Sequence, residues 1–108
     1  MKTYVGQRLG YAAVVTVDGR RLNPRRDLWN HSPDGYEWGY GGSGPAQLAL
    51  AILADHCRND GQALNLYQRF KWAVVAELPY RGWTLTTEGI EAVLQKLQAA
   101  ELQSEVVT

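Results

Sequence analysis

The sequence predicts an α+β fold in which a small antiparallel sheet packs on about three helices, one of them buried at the centre. The N-terminal part consists of short β-branched runs separated by turn residues, which favours strands. After Gly44 the apolar residues recur at three- and four-residue spacing, which favours helices. The 108 residues are 45% hydrophobic and 20% charged, so we expect residues 1–108 to form a single globular domain.

The predicted sheet combines the N-terminal strands with one aromatic strand. Asp18 and Gly19 directly follow a β-branched run and form a strong hairpin-turn signal. The turn-rich residues 25–35 are expected to be a loop. The predicted strands are residues 4–9, residues 12–17, a return strand over residues 20–22, and Tyr36 to Tyr40. Residues 80–85 are predicted to be either a connection or a short strand.

The central helix is predicted from its start signals and its composition. Pro45 fits the first helical position, and Ser43 or Gly44 fits the cap before it. All residues from 46 to 54 are apolar except Gln47, so this helix should be buried on nearly all sides.

Two further helices are predicted after the central one. The first covers residues 62–78, with Asn59 or Asp60 as its cap and Pro79 as its end. The second is capped by Thr86 and buries a stripe of aliphatic residues. We expect residues 103–108 to be a frayed tail.

An aromatic run leads into a glycine loop at the predicted start of the central helix. Backbone N–H groups and the positive end of the helix dipole meet there, which favours binding of an anion, and the aromatic rings could stack on a base. The alternative is that the glycines only allow a sharp turn while the rings fill the core. The residues of this predicted ligand site are Tyr36, Trp38, Tyr40, Gly41, Gly42, Ser43 and Gly44.

A second candidate site is a local basic segment next to a tryptophan. Arginine side chains in such a segment can bind phosphate, RNA or an acidic protein surface. The alternative is a solvated hairpin and loop, in which Asp18 and Asp27 neutralise the arginines. The predicted partner-binding residues are Arg20, Arg21, Arg25, Arg26 and Trp29.

The remaining features exclude several classes of function. Formal net charge is zero, so no overall field attracts the chain to nucleic acid or to a membrane. Cys57 is the single cysteine, and His31 and His56 are isolated, so we expect no disulfide, metal or cofactor. The N-terminus has no long apolar run, and a bacterial cytoplasmic location is expected. No residues suggest a reaction, so we expect no catalytic residues and no enzymatic activity.

The sequence also resembles a known family over most of its length. The resemblance rests mainly on the motif WGYGGSGPAQLALAIL, which begins at Trp38. It is supported by the earlier Tyr4, Gly6 and Arg8 and by the later Phe70-Lys71 and WTLT segments. These residues resemble a small uncharacterised family of bacteria and their phages, the 6166 type of domain of unknown function. The resemblance implies no reaction. It implies a setting among accessory proteins of phages and mobile elements, many of which block host defence.

Two main hypotheses about function follow, and a small transferase or hydrolase that uses the pocket at the glycine loop is a third possibility. The first is a non-enzymatic accessory protein that inhibits a host defence system, as anti-CRISPR proteins do, by binding a protein or ribonucleoprotein component through the arginine segment. The second is a nucleotide-binding sponge or sensor that holds a signalling nucleotide at the glycine loop. Either protein could be a homo-oligomer, and neither is expected to bind a membrane.

Overall fold

The computed structural model describes the backbone of residues 1–107 and the side chains of residues 1–101. Four strands and three helices build the α+β fold that the sequence predicts. In chain order they are β1 (Thr3–Leu9), β2 (Ala12–Val17), β3 (Arg20–Arg21), α1 (Ser43–Cys57), α2 (Asp60–Ala73), a 3-10 turn (Val75–Glu77), β4 (Gly82–Thr86) and α3 (Thr87–Val107). The frayed tail predicted for residues 103–108 lies outside the residues that are described in full.

The sheet is antiparallel and has the strand order β3-β2-β1-β4. Asp18 and Gly19 both have positive φ, 49° and 82°, as the predicted two-residue hairpin turn between β2 and β3 requires. In the middle of β1, Gly6 lies opposite Trp83 of β4. The Trp83 indole occupies the space that a side chain at position 6 would need, so a glycine is required there.

The prediction of a strand from Tyr36 to Tyr40 is wrong. The place beside β1 at the edge of the sheet is taken by β4. This strand overlaps the segment, residues 80–85, that was predicted to be either a connection or a short strand. Gly35 and Gly39 have φ of 119° and 91°, values that an extended strand does not tolerate. The Gly39 N–H donates instead to the Val75 carbonyl oxygen at 3.0 Å, so this segment packs against the end of the helical layer.

The buried central helix is confirmed, because every residue of α1 from Gly44 to Ala54 is buried. Its predicted start is shifted, however. Gly42 is the N-cap and makes no side-chain cap bond, so Ser43 is the first helical residue and Pro45 the third. Glycine readily adopts the extended φ and ψ of the N-cap position, so the helix begins after Gly42 without a side-chain cap.

The other two helices start where their caps predict. The Asn59 side chain accepts a hydrogen bond from the Gln62 N–H at 3.0 Å, and Thr86 accepts one from the Gly89 N–H at 3.2 Å. α1 and α2 are joined by only two residues and pack along each other as a helical hairpin. Among the described residues, no helix is long and apolar enough to cross a membrane.

Candidate functional site

A basic cleft lies at the turn of the α1–α2 hairpin. It is a cavity of about 390 Å³ between the end of α1, the β2–β3 hairpin and the N-terminus. Five basic side chains and one acidic side chain, Asp55, line it. We define the basic cleft by these five cations, which are Lys2, Arg20, Arg21, Arg25 and Arg58.

Two of the five cations are neutralised by carboxylates. The Lys2 ammonium lies 3.1 Å from Asp55 Oδ2, which also accepts a 2.6 Å hydrogen bond from the Tyr4 hydroxyl. Arg25 pairs with Asp27 at 3.0 Å and with Asp60 at 2.9 Å, and these bonds raise the pKa of its guanidinium.

The other three arginines have exposed side chains and no ion pair within the described part of the chain. These are Arg20, Arg21 and Arg58. Unpaired cations that lie close together repel one another. An anion bound in the cleft would reduce this repulsion and would be attracted by all three side chains.

The backbone at the cleft is held in an uncommon conformation. Arg25 and Arg58 have φ of 54° and 52°, in the left-handed region that disfavours residues with a Cβ. Such a conformation costs about 1–2 kcal/mol relative to glycine. Among the described residues, three non-glycine residues have a positive φ, and two of them are arginines of this cleft.

Arg26 and Trp29, which the sequence grouped with these arginines, lie outside the cleft. The Arg26 guanidinium donates to the carbonyl oxygens of Ser32 and Pro33, at 3.1 and 3.3 Å, and so closes its own loop. The structure therefore brings Arg20, Arg21 and Arg25 together and assigns Arg26 a bond within the loop. Trp29 belongs to a second surface.

Gln47 anchors the loop that carries Arg25 and Trp29. This side chain is fully buried in α1, and its amide nitrogen donates to the carbonyl oxygens of Pro24 and Trp29 at 2.6 and 3.1 Å. Its carbonyl oxygen accepts from the N–H groups of His31 and Ser32 at 2.7 and 3.2 Å. The one buried polar residue of the central helix thus replaces four hydrogen bonds that the loop backbone would otherwise make with water.

Trp29 starts a row of rings at the other end of the hairpin. It stacks on His31 with 5.6 Å between ring centroids, and His31 Nε2 lies 2.6 Å from the Tyr67 hydroxyl. One turn further along α2, the Lys71 ammonium lies 4.6 Å from the centre of the Trp72 ring. We call these five residues, Trp29, His31, Tyr67, Lys71 and Trp72, the aromatic patch.

Both tryptophans of the aromatic patch are open to solvent, whereas the other two tryptophans of the chain are in the core. Trp29 is 58% exposed and Trp72 61%, but Trp38 and Trp83 are 2% and 8% exposed. Burial, and then the charge of Lys71, lower the pKa of His31, so its ring is neutral at neutral pH.

The glycine loop, residues 41–44, borders another cavity of about 360 Å³. The predicted ligand-site residues Tyr36, Tyr40, Ser43 and Gly44 all line this cavity. Asp34 and Glu37 line it too, and their negative charges oppose the binding of a phosphate. Gly41 and Gly42 are covered by the side chains of Trp72 and Tyr40, respectively.

Trp38 is placed differently from the other residues of that predicted site. Its ring lies in the core, edge-on to Trp83 at 5.5 Å, and Arg8 covers it at 4.3 Å. Arg8 in turn lies between Trp38 and Tyr80 and pairs with Glu37 at 2.9 Å. Stacking of Trp38 on a bound base is therefore not available in this fold.

The isolated polar residues do not assemble into a reactive site. His56 Nε2 lies 2.8 Å from a Glu91 carboxylate oxygen, and burial raises the pKa of the Cys57 thiol. A thiol with a raised pKa is a poor nucleophile at neutral pH. Within the described residues, no group of three His, Cys, Asp or Glu side chains converges to hold a metal ion.

Several residues of these surfaces lie outside the candidate sites that the sequence predicted. Lys2 and Arg58 are distant from the arginine segment in sequence and reach the cleft only through the tertiary fold. Lys71 and Trp72 lie on α2, where the apolar periodicity indicates only which residues are buried. The signal that could have found them is the Lys71-Trp72 dipeptide itself, because a lysine ammonium can make a cation–π contact with a tryptophan ring.

Comparison with known proteins identifies a family and no function. No curated protein and no solved structure matches the chain. The model of a family of unknown function, DUF6166, matches residues 4–96, which include β1 to β4, α1, α2 and the first half of α3. The chain belongs to this family of unknown function, DUF6166.

Proposed function

We propose that this protein acts by binding and not by catalysis, as a phage or mobile-element accessory protein that inhibits a host defence system. It would occupy an anionic surface of a defence protein or ribonucleoprotein with the basic cleft. The observation that carries the proposal is the convergence of five cations from four separate segments on one cavity with a single acidic lining residue.

The charge distribution supports an anionic partner. The chain as a whole has no net charge, so a cluster of this kind reflects a local arrangement of charge and not an overall basic composition. Arginine forms paired hydrogen bonds with carboxylates and phosphates, which suits both acidic protein surfaces and the backbone of a guide RNA.

The strained backbone supports a functional role for the same residues. Glycine at positions 25 and 58 would relieve the left-handed conformation, yet both positions carry arginine. Strain of this kind is typical of binding sites, where the surrounding structure holds it in place.

Phage plating on protected bacteria tests the proposal. The chain is expressed in a panel of strains, each carrying one defence system, and plating should recover on at least one strain. Combined Arg20→Glu and Arg21→Glu should abolish that recovery, because repulsion replaces attraction in the cleft. Combined Arg81→Glu and Lys96→Glu is the matched control, since it makes the same charge change at two exposed cations outside the cleft.

Two results would contradict the proposal. One is an absence of recovery on every strain of the panel. The other is recovery that survives the charge reversal in the cleft, provided that the purified variant keeps its circular dichroism spectrum and melting temperature.

A nucleotide sponge or sensor is the second candidate function. It is supported by the 360 Å³ cavity beside the glycine loop, where two tyrosines border the N-terminus of α1. Gly42→Val should abolish nucleotide binding without unfolding the chain, because the new side chain displaces the exposed Tyr40 ring. Native mass spectrometry of the gently purified protein would reveal the nucleotide as an added mass. Unchanged affinity in the Gly42→Val variant would count against this site. Gly61→Ala is the control, because its Cβ would make only an ordinary van der Waals contact, with Asn59 Oδ1 at 3.4 Å.

A further inference from the structure

We propose that the aromatic patch is a binding surface for single-stranded nucleic acid, with bases stacked on Trp29 and Trp72 and a phosphate bound by Lys71. This surface lies at the opposite end of the α1–α2 hairpin from the basic cleft. The proposal does not depend on the proposed function.

The first observation is that both tryptophan rings are exposed and yet held in place. Trp29 stacks with one face on His31, and its carbonyl oxygen is bound by the buried Gln47 side chain at 3.1 Å. Trp72 lies in the last turn of α2 and packs against Gly41. Rings fixed in this way lose little conformational entropy when a base stacks on them.

The second observation is a cation without an anionic partner. Lys71 is only 8% exposed, and its ammonium forms no ion pair or hydrogen bond with any described residue. Its one polar contact is with the Trp72 ring. The aliphatic stem of Lys71 is buried while its ammonium reaches the surface, so a phosphate between two stacked bases can bind the ammonium there.

The third observation is the spacing. Tyr67 and Lys71 are four residues apart, so they lie on the same face of α2, one turn from each other. The Lys71 ammonium in turn lies against the Trp72 ring. Together with the contacts of His31 with Trp29 and Tyr67, these contacts join the rings and the cation into one surface that a strand can cross.

The same features favour an unpaired strand over a duplex or a protein. In a duplex the base faces are covered by their neighbours, so only a single strand can offer them to the tryptophans. A protein partner would be expected to contact an apolar surface around its aromatic anchors. Here His31 and Lys71, both polar, separate the two exposed rings.

Fluorescence titration with defined oligonucleotides tests the proposal. The probes are oligothymidylate and oligouridylate of about 12 nucleotides, within the usual site size of single-strand binders. Binding should quench tryptophan emission, and Trp29→Ala and Trp72→Ala should each weaken the affinity about ten-fold. Lys71→Gln should reduce the slope of log affinity against log salt by about one. A duplex of the same length should bind at least about ten-fold more weakly.

Tyr11→Ala is the matched control, because Tyr11 is a fully exposed aromatic residue on the β1–β2 turn and lies outside the patch. It should bind the probes as the unaltered chain does. Three results would overturn the proposal: no binding even at roughly 50 mM salt, where phosphate contacts are strong; equal affinity for strand and duplex without quenching; or binding that survives both tryptophan substitutions. Melting temperatures of all variants show whether the fold is kept, and the exposed tryptophans keep the test valid if Lys71→Gln unfolds.

Discussion

The two ends of the α1–α2 hairpin are built on opposite principles. At the turn, the basic cleft gathers long charged side chains from four segments, and three of its arginines have no ion pair among the described residues. At the open end, the aromatic patch fixes each ring against a neighbour. Charge acts over distances of several ångströms and tolerates loose geometry, whereas stacking requires surfaces in contact. Under the two proposals, the exposed cations of the cleft would accept a range of anionic partners, whereas the fixed rings would accept only a ligand that can lie flat against them.

One buried residue supports both ends. Gln47 binds the backbone of the loop that carries Arg25 to the cleft and Trp29 to the patch. An amide can both donate and accept, so a single side chain satisfies two carbonyl oxygens and two N–H groups of that loop. Both surfaces thus depend in part on the four hydrogen bonds of one buried side chain.

The largest effect is expected when this common support is removed. Gln47→Leu leaves four backbone groups of the loop without their partners and should lower the free energy of unfolding by about 3 kcal/mol. Urea denaturation measures the loss. Gln68→Leu is the control, since Gln68 is exposed on α2 and should change stability by less than about 0.5 kcal/mol. Equal stability of the two variants would show that the loop holds its place without Gln47.

The next prediction concerns Arg58, whose replacement should change stability and binding in opposite directions. Arg58→Gly should raise the free energy of unfolding by about 1 kcal/mol, because glycine adopts the left-handed φ at the end of α1 without strain. The same variant should bind the cleft's partner more weakly, since one unpaired cation is lost. Thermal denaturation and a binding assay measure the two changes. A variant that is less stable than the unaltered chain would mean that the Arg58 side chain contributes to the fold.

A smaller effect is expected from releasing Arg25. Asp60→Asn removes one of its two carboxylates, in a pair that is partly exposed, so stability should fall by at most about 1 kcal/mol. The affinity of the cleft for an anionic partner should depend more steeply on salt, because Arg25 becomes available to it. The aromatic patch should keep its oligonucleotide affinity. A parallel change at both ends would show that the two surfaces are not independent.

The smallest effect is the response of the aromatic patch to pH. The pKa of His31 is lowered in the fold, so the unfolded chain binds a proton more readily. Stability from this group is therefore present above the ordinary histidine pKa of about 6.5 and is lost as the pH falls through and below that value. Melting temperatures between roughly pH 7 and 5 test this, with His31→Asn as the comparison that lacks the titrating ring. An identical pH dependence in both proteins would show that the effect does not come from His31.

Local patterns were enough where a segment's own residues decide its structure. The uninterrupted apolar run of α1 predicted the central helix, and the Asp18-Gly19 pair predicted the hairpin, because the physical cause lies within a few residues of the chain. The caps at Asn59 and Thr86 were predicted for the same reason. The arginines at positions 20, 21 and 25 were predicted as one surface, and the structure places them together.

Only the tertiary structure decided the competition between two aromatic segments for the edge of the sheet. Tyr36 to Tyr40 and β4 both have the composition of a strand, but Trp83 fits over Gly6, whereas Gly35 and Gly39 turn the first segment towards Val75. Strand pairing depends on a partner distant in sequence, so no local pattern settles it. The same holds for the two surfaces, because the fold alone brings Lys2 and Arg58 to the arginines and Trp72 to the row that Trp29 begins. The sequence by itself determined which segments are helical and where two of the three helices begin, while long-range packing determined which side chains share a surface.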